Sequence, residues 1–259
     1  MNTGLRDFRE AITLLPKALY FAWSDTKARY KRSVLGPFWL VLSTIFGVVG
    51  LGVVWSILLN ADRAEFIPSL TIGLIVWQLI SGCLAEAPAI FYRQSGQIKD
   101  INLPSFFVSF QLVMRQIINF GHNLIVFAIV TIVYPHHASL LAFVAIPGLV
   151  LVVANLLWLV QVLGYVGARY RDLEPLIGSF LPILFFVSPV IYRAGQLGPM
   201  ARVMAFNPIG NWISLVRDPL MGELPNAASY GVALATTAAG WSVALWLTTA
   251  RRRRLPYWI

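Results

Sequence analysis

Six long apolar runs constrain the fold of this chain more than any other feature of its sequence. A helix of about 20 apolar residues crosses a hydrocarbon core of roughly 30 Å. Hydrocarbon tolerates only closed hydrogen-bonding structures, and the alternating pattern of a β-barrel is missing from the runs. The sequence therefore predicts an all-α integral membrane protein with six transmembrane helices. The six runs cover residues 38–59, 69–87, 106–134, 140–167, 175–192 and 228–250.

The low charge content supports a membrane as the solvent. Only 12% of the residues are charged and 58% are hydrophobic, whereas a soluble domain carries about 25% charged residues. The net charge of +9 could indicate a nucleic-acid partner. However, the basic residues cluster at the ends of the apolar runs, so we expect no nucleic acid. The single cysteine, Cys83, excludes an internal disulfide and a cysteine-based metal cage.

The distribution of basic residues predicts the orientation of the helices. Fifteen of the 20 Lys and Arg residues lie before the first run, between the second and third, between the fourth and fifth, or after the sixth. Basic loops remain preferentially in the cytoplasm, so we predict that both termini are cytoplasmic. No apolar core precedes a small-residue cleavage site, so we expect no cleavable signal peptide.

Residues 1–33 carry an amphipathic helical pattern. Charged residues such as Arg6, Arg9 and Lys17 lie elsewhere around the helix than the large apolar residues. The pattern predicts an interfacial helix on the inner leaflet, bent at Pro16. The alternative is a soluble helix that packs on another protein. The apolar positions, which recur every three or four residues, are Leu5, Phe8, Ile12, Leu15, Leu19 and Trp23.

The third run contains an intramembrane polar stripe. Gln111, Arg115, Asn119 and His122 are spaced by four, four and three residues and therefore share one helix face. A charged group at the bilayer centre costs at least about 2.5 kcal/mol, so this face should contact other helices or line a watery path. Glu86 falls in the same half of the membrane under the predicted topology. We therefore hypothesise a Glu86–Arg115 pair.

Several aromatic and polar residues of the apolar runs are candidates for lining a channel. Ring faces can make sliding contacts with a sugar chain, although packing is the simpler explanation for any single ring. The channel-lining candidates are Trp39 and Phe46 in the first run, Trp77 in the second, and Phe185, Ser188 and Tyr192 in the fifth.

The segment 193–227 is too long and too apolar for a plain external connector. Its pattern predicts two short helices interrupted at Asn207 and Pro208, which together form a re-entrant segment at the outer face. Irregular backbone at membrane depth must be buried in protein or line a cavity, which indicates a gate. The candidate gate residues are Asn207, Pro208, Trp212, Arg217 and Asp218.

Motifs for nucleotide binding and catalysis are missing from the sequence. No GxxxxGK[ST] motif is present, and no Ser-His-Asp arrangement or metal-ligand spacing can be argued. The energy for any transport must therefore come from a partner chain or an ion gradient. Two loops on the predicted cytoplasmic side, residues 92–105 and 168–175, are candidates for receiving such a partner.

Three stretches of the sequence together resemble one protein family. They are RYKRSVLGPFW at 29–39, ARYRDLEP at 168–175 and FNPIGNWISLVRDPLMG at 206–222. The chain resembles the permease subunits of type-2 ABC exporters, in particular the branch that exports cell-surface polysaccharides such as O-antigen, teichoic acid and capsule chains. The resemblance extends over nearly the whole chain as a single transmembrane domain, residues 1–259.

The resemblance implies a homodimer of permeases with two separate ATPase subunits, which would bind ATP and Mg²⁺ while this chain binds no cofactor. The implied substrate is a glycan on an undecaprenyl-pyrophosphate lipid, exported across the bacterial inner membrane. Pyrophosphate would need charge-assisted donors at the cytoplasmic membrane edge, for which the candidates are Lys27, Arg29, Lys31 and Arg32. The implied ATPase-coupling residues are Arg93, Gln97, Lys99 and Asp100.

Three other functions remain as alternatives. A small-molecule or drug exporter of the same superfamily would have a narrower and more apolar cavity. An integral-membrane enzyme of lipid-linked glycan synthesis would need a catalytic loop with carboxylates. An autonomous channel is disfavoured because nothing in the sequence explains its selectivity. The acids on the predicted outer side, which form no evident catalytic site, are Asp62, Glu65, Asp218 and Glu223.

Overall fold

The computed structural model describes residues 3–31, 33–34, 36, 38–101, 103–135, 140–193 and 205–259. Within these ranges the regular structure is helical. Short 3₁₀ turns occur at Ala87–Ala89, Leu140–Val144 and Arg252–Arg254. The α-helices are α1 (Thr3–Thr13), α2 (Leu15–Tyr30), α3 (Phe38–Leu58), α4 (Arg63–Glu86), α5 (Ile90–Arg93), α6 (Ser95–Lys99), α7 (Ser105–Val133), α8 (Ala145–Arg169), α9 (Leu173–Val187), α10 (Pro208–Leu220), α11 (Ala227–Arg251) and α12 (Leu255–Trp258).

Helices occur at all six positions where the sequence predicts a membrane span, but one of them is short. In the described part of the chain, five helical stretches are long and apolar enough to cross a membrane. They contain α3, α4, α7, α8 and α11. The fifth predicted span corresponds to α9, which has 15 residues and therefore a length of about 22 Å. The all-helical membrane architecture is confirmed, whereas the count of six crossings stays a prediction.

The short α9 results from local backbone chemistry at its C-terminal end. The predicted span extends to residue 192, but the helix ends at Val187. Ser188 adopts an extended conformation, with φ −87° and ψ 144°, immediately before Pro189. A residue that precedes proline is driven out of the helical region by the proline ring. The predicted end of this helix is therefore wrong by five residues.

Helix α4 is the central helix of the bundle, and it starts earlier than the sequence indicates. The apolar run begins at residue 69, but the helix begins at Arg63 because Asp62 caps it. The Asp62 carboxylate accepts a hydrogen bond from the backbone N–H of Ala64 at 3.0 Å. Helix α4 contacts α3, α7, α9 and α10, and most of its length is buried within the protein.

The amphipathic N-terminal stretch forms two helices rather than one bent helix. Helix α2 starts at Leu15, with Pro16 in its first turn, where a proline is well tolerated. Small side chains at Ala11, Ala18 and Ala22 are fully buried, so the two helices lie close against α7 and α11. The large apolar residues that the sequence singles out point mostly away from the bundle, namely Leu5, Ile12, Leu19 and Trp23.

A buried carboxylate joins the N-terminal helix to the start of α7. The two oxygens of Asp7 accept hydrogen bonds from the backbone N–H groups of Ser105 at 3.1 Å and Phe106 at 3.0 Å. Arg252 donates to the same carboxylate at 2.7 Å. The first N–H groups of a helix have no partner within the helix, and a negative charge there is favourable. Asp7 therefore caps α7 from a position almost 100 residues away in the sequence.

The second half of the 193–227 segment is a buried helix. Helix α10 begins after Asn207, whose side chain accepts a hydrogen bond from the backbone N–H of Gly210 at 3.1 Å. It packs against α4, α8 and α11. The first of the two predicted helices would fall on residues 194–204, which lie outside the described residues. The re-entrant arrangement as a whole therefore stays a prediction.

The chain that directly follows α9 packs closely on α4. Residues 188–191 are buried, and the carbonyl oxygen of Val190 lies only 2.5 Å from the position that a Cβ atom would occupy at Gly73. Glycine at this position therefore permits a backbone-to-helix contact that a larger residue would obstruct.

Candidate functional site

A groove with a polar floor opens between α3 and α9 and is the candidate functional site. Its volume is about 400 Å³. Helices α4 and α7 form the floor, and Arg29 from the end of α2 lies at one end. The residues that line this polar groove are Arg29, Leu40, Ser43, Gln78, Leu79, Ser81, Gly82, Ala85, Glu86, Gln116, Asn119, Phe120, Asn123 and Leu181.

A closed triad of hydrogen bonds fixes the floor at one end of the groove. Asn123 of α7 donates to the side-chain carbonyl of Gln78 of α4 at 2.7 Å. Gln78 in turn donates to the hydroxyl of Thr44 of α3 at 3.0 Å, and that hydroxyl lies 2.9 Å from Oδ1 of Asn123. Three helices are thus joined by side chains that would be costly to bury without partners.

A second chain of amides continues along the floor toward Glu86. Asn119 donates to Gln116 at 3.1 Å, and Gln116 donates to Oε1 of Glu86 at 2.9 Å. Together with the triad, these residues form a row of neutral hydrogen-bonding groups that ends in a charged cluster. The floor therefore offers both donors and acceptors to a ligand that is rich in hydroxyl groups.

The charged cluster contains two acids and two guanidinium groups from three helices. Arg115 donates to Glu86, and its Nη1 atom lies 3.6 Å from Oδ2 of Asp25. Gln111 also donates to Asp25, at 2.8 Å. The hypothesised Glu86–Arg115 pair is therefore present in the structure. Because the Arg115 side chain is 11% exposed, it depends on these carboxylates for compensation of its charge.

Arg29 is the most accessible member of this cluster. Its Nη2 atom lies 3.9 Å from Oε1 of Glu86, which is a long separation for an ion pair, and its side chain is 46% exposed. Among the other head-group candidates, Lys27 lies 5.6 Å from the centroid of the Trp23 ring, and Lys31 is exposed just beyond α2. Arg32 lies outside the described residues. Of the head-group candidates whose positions the structure describes, Arg29 is therefore the one that lines the groove.

The predicted polar stripe of α7 divides between two environments. Gln111 and Arg115 face Asp25, while Asn119 lines the groove. His122 does neither, because its Nδ1 atom lies 2.8 Å from the backbone carbonyl of Ile118 in its own helix. The four residues of the stripe therefore have different partners, and the common role of the stripe stays a prediction.

Sequence reasoning missed most of the groove floor. Gln116, Asn119 and Asn123 are spaced by three and four residues, so their common helix face was visible in the sequence. Gln78 lies in the middle of an apolar run, and its position alone gives no reason to expect Asn123 beside it. Asp25 lies in the amphipathic N-terminal stretch, where a charged residue is unremarkable.

The channel-lining candidates do not meet in one place within this chain. Trp77 is 8% exposed and packs edge-on against Phe185, with 5.6 Å between the ring centroids. Ser188 is fully buried, and the Tyr192 hydroxyl donates to the backbone carbonyl of Phe186 at 3.1 Å. These contacts favour a packing role. The two candidates on α3 are exposed, namely Trp39 at 52% and Phe46 at 68%.

The predicted gate residues hold α10 against the end of α9. Arg217 is 2% exposed and donates to the carbonyl of Pro189 at 2.8 Å, and its Nε atom lies 3.5 Å from Oδ1 of Asp218. The Asn207 side chain donates to the carbonyl of Val187 at 3.3 Å. Trp212 is buried, and Pro208 is the first residue of α10.

The loop between α4 and α7 is joined to the first turn of α9. Tyr92 and Arg93 both donate to the carboxylate of Glu174, and the Arg171 guanidinium lies 5.3 Å from the centroid of the Tyr92 ring. Any displacement of this loop would therefore act on α9, which forms one side of the polar groove.

The remaining ATPase-coupling candidates lie on or beside the short α6. Lys99 donates to the backbone carbonyl of Ile259, and Asp100 is exposed. The side chain of Gln97 lies outside the described part of the structure. Within the described ranges no group of three or more His, Cys, Asp and Glu side chains is placed to hold a metal ion.

Comparison with known proteins supplies relatives of this chain. An O-antigen export system permease protein RfbA of Klebsiella pneumoniae is 22% identical over 204 residues, which cover 78% of this chain and 79% of that protein. The chain is therefore similar to proteins named as O-antigen export permeases. A second RfbA, from Myxococcus xanthus, is 20% identical over 192 residues, which cover 71% of this chain and 72% of that protein.

Another RfbA of Klebsiella pneumoniae is 20% identical over 206 residues, with 78% of this chain and 79% of that protein covered. No protein-family model matches the chain. The resemblance to polysaccharide-export permeases that the three sequence stretches indicate is confirmed by these relatives. The five apolar helices are those of a multi-pass membrane protein, as expected for a chain that is similar to export permeases.

Proposed function

We propose that this chain is the permease of a bacterial ABC exporter that moves a lipid-linked cell-surface polysaccharide of the O-antigen type across the inner membrane. The observation that carries the proposal is the polar groove, a row of neutral amides and hydroxyls between two apolar helices. The relatives named as O-antigen export permeases support it.

The chemistry of the groove floor suits a sugar chain. Gln78, Gln116, Asn119 and Asn123 present amide groups that can exchange hydrogen bonds with successive hydroxyls. Neutral groups bind such hydroxyls without the strong fixed charges that would hold one repeat unit in place. A small apolar drug would instead require a largely apolar pocket. The groove therefore favours a glycan over the alternative of a drug substrate.

A second copy of the chain would complete the path. No residue of α9 is buried within the chain, and α3 exposes Trp39 and Phe46. In the proposed homodimer, the two grooves face each other, and these rings lie along the seam. Aromatic ring faces there would give the sugar chain apolar contacts that do not depend on the identity of each unit.

Arg29 would receive the pyrophosphate of the lipid carrier at the cytoplasmic end of the groove. Its guanidinium is the accessible one of the charged cluster, whereas Arg115 is held by Glu86 and Asp25. Planar guanidinium groups bind phosphate oxygens with two parallel hydrogen bonds. Lys27, Lys31 and Arg32 would add positive charge nearby. In this proposal both termini of the chain are cytoplasmic.

A separate ATPase would supply the energy, and it would bind ATP and Mg²⁺ in place of this chain. The proposed docking element is the loop that contains α5 and α6. A push on this loop would reach α9 through the contacts of Tyr92 and Arg93 with Glu174. Movement of α9 would change the width of the groove. The α10 segment, which is bonded to the end of α9 by Asn207 and Arg217, would act as the outer gate.

Replacement of one floor residue tests the proposal in cells that lack the native gene. We expect Asn119→Leu to lower surface polysaccharide about two- to tenfold, because an apolar side chain removes an amide from the path. The matched control is Thr131→Val on the same helix, because the Thr131 hydroxyl donates to the carbonyl of Phe127 at 2.9 Å and does not line the groove. The control should export normally at equal protein levels.

Three results would overturn the proposal. One is unchanged surface polysaccharide in cells from which the gene is deleted. Another is a purified complex in which no ATPase accompanies the chain. The third is a complex in which small apolar drugs stimulate ATP hydrolysis while lipid-linked glycan does not, and this result would favour the drug-exporter alternative.

A further inference from the structure

A second cavity lies away from the polar groove, where the C-terminal ends of α8 and α11 meet. Its volume is about 420 Å³, and it shares no lining residue with the groove. Three guanidinium groups line it, from Arg169 at the end of α8, Arg251 at the end of α11 and Arg254 just beyond. We call this cavity the basic pocket.

The charges of the basic pocket are not compensated by carboxylates. No Asp or Glu lines it, and none of its three arginines forms an ion pair with a carboxylate in the described part of the chain. The neighbouring Arg252 differs, because Asp7 holds it at 2.7 Å. Three like charges around one cavity repel each other and therefore favour an anionic ligand.

The walls of the basic pocket are apolar and aromatic. Leu247 and Val166 line it on the side toward the membrane-spanning parts of α11 and α8. The Trp258 ring lies on another side, 5.9 Å from the guanidinium carbon of Arg169. One turn back along α11, Trp246 and Val243 are exposed on the surface of the helix. Tryptophan rings with arginines at the end of a spanning helix are typical of the bilayer interface.

We propose that the basic pocket binds the phosphodiester head group of an anionic phospholipid. The guanidinium groups hold the phosphate oxygens, and the acyl chains extend over Leu247 and the exposed face of α11. The apolar walls favour a lipid over an acidic protein partner, because a carboxylate-rich surface would gain nothing from them. Basic pockets between helices at the cytoplasmic membrane edge bind such head groups in other membrane proteins. This inference is independent of the exported substrate.

Lipid titrations of the detergent-purified chain, followed by native mass spectrometry, test the proposal. The probes are phosphatidylglycerol, phosphatidylcholine and sn-glycerol 3-phosphate. We expect phosphatidylglycerol to bind at least about tenfold more tightly than phosphatidylcholine. The Arg251→Gln/Arg254→Gln variant should lose most of this preference. The matched control is Arg9→Gln/Arg253→Gln, which removes the same charge from two exposed positions outside the basic pocket.

Each contrary outcome overturns the proposal. An equal loss in the control variant would mean a diffuse attraction to positive charge. Binding of sn-glycerol 3-phosphate as tightly as the lipid would mean a site for soluble phosphate. Loss of a protein partner from the variant, with lipid preference unchanged, would mean a protein-docking surface. If the double variant does not fold, thermal unfolding of the wild-type chain tests the proposal instead. Equal stabilisation of the wild-type chain by phosphatidylglycerol and phosphatidylcholine would contradict a head-group site.

Discussion

The buried ion pair between Glu86 and Arg115 can be tested by a double-mutant cycle. The changes are Glu86→Gln, Arg115→Gln and both together. Arg115 is 11% exposed and faces two carboxylates, Glu86 directly and Asp25 at 3.6 Å. The glutamine side chains keep most of the size and hydrogen-bonding capacity of the original groups while removing the charges. The cycle therefore measures the charge interaction with little change in packing.

The expected magnitudes follow from what each single change leaves behind. Arg115→Gln removes the guanidinium group that lies between Glu86 and Asp25 and leaves Glu86 with Arg29 at 3.9 Å, so we expect a loss of about 3 kcal/mol in the free energy of unfolding. Glu86→Gln leaves Arg115 beside Asp25, and the loss should be smaller, about 1–2 kcal/mol. The double change should cost less than the sum, with a coupling of about 1–3 kcal/mol.

Thermal unfolding of the purified variants in one detergent, followed by tryptophan fluorescence, gives the apparent stabilities. The control is the same cycle at Arg6 and Glu10, an exposed pair on α1 with 2.7 Å between Nε and Oε1. That cycle should give a coupling below about 0.5 kcal/mol. Additive losses at Glu86 and Arg115, within about 0.5 kcal/mol, would refute the argument that this pair compensates a buried charge.

Three further substitutions address other parts of the fold. Asp7→Asn should lower the free energy of unfolding by about 2 kcal/mol, because it removes a buried charge that caps α7 and pairs with the partly exposed Arg252. Asp100→Asn, at an exposed site, should have little effect in the same thermal assay. Gly73→Ala should destabilise by about 1–3 kcal/mol because its Cβ would meet a carbonyl oxygen at 2.5 Å, whereas Gly231→Ala, with no atom within 4 Å, should be neutral or stabilising. Glu174→Gln should lower ATPase-driven export, because Tyr92 and Arg93 donate to this carboxylate. Binding of the ATPase, measured by copurification, should be unchanged. Unchanged export would contradict the proposed link between the docking loop and α9.

Much of the membrane architecture could be predicted from local sequence patterns. Apolar length is a local property, so helices occur at each of the six predicted positions. The Glu86–Arg115 pair was also predictable, because a charge inside a membrane helix needs a partner and Glu86 was the acid at the matching depth. The three motif stretches indicated the similarity to export permeases, because sequence motifs can be recognised without knowledge of the contacts in the folded chain.

Other features depended on contacts that no local pattern contains. The early end of α9 at Val187 is the exception, because it follows from the local Ser188-Pro189 step, which a prediction from apolar length alone does not use. The burial of Ser188 follows from close packing of the adjacent backbone on Gly73. The small residues of α1 and α2 face the bundle together with Phe8, whereas Leu5, Ile12, Leu19 and Trp23 are exposed, because close helix packing in a membrane favours short side chains.

The sequence by itself determined that the chain is a helical membrane protein. Each apolar run that enters hydrocarbon must satisfy its own backbone hydrogen bonds, as a helix does, and the length of each run can be read from the sequence. The polar groove was decided only by the tertiary structure. Gln78, Asn123 and Thr44 come from three different helices, and no spacing within any one run pairs them. They become one site because a buried polar side chain must find its hydrogen-bond partner on a neighbouring helix, and the fold determines which helices are neighbours.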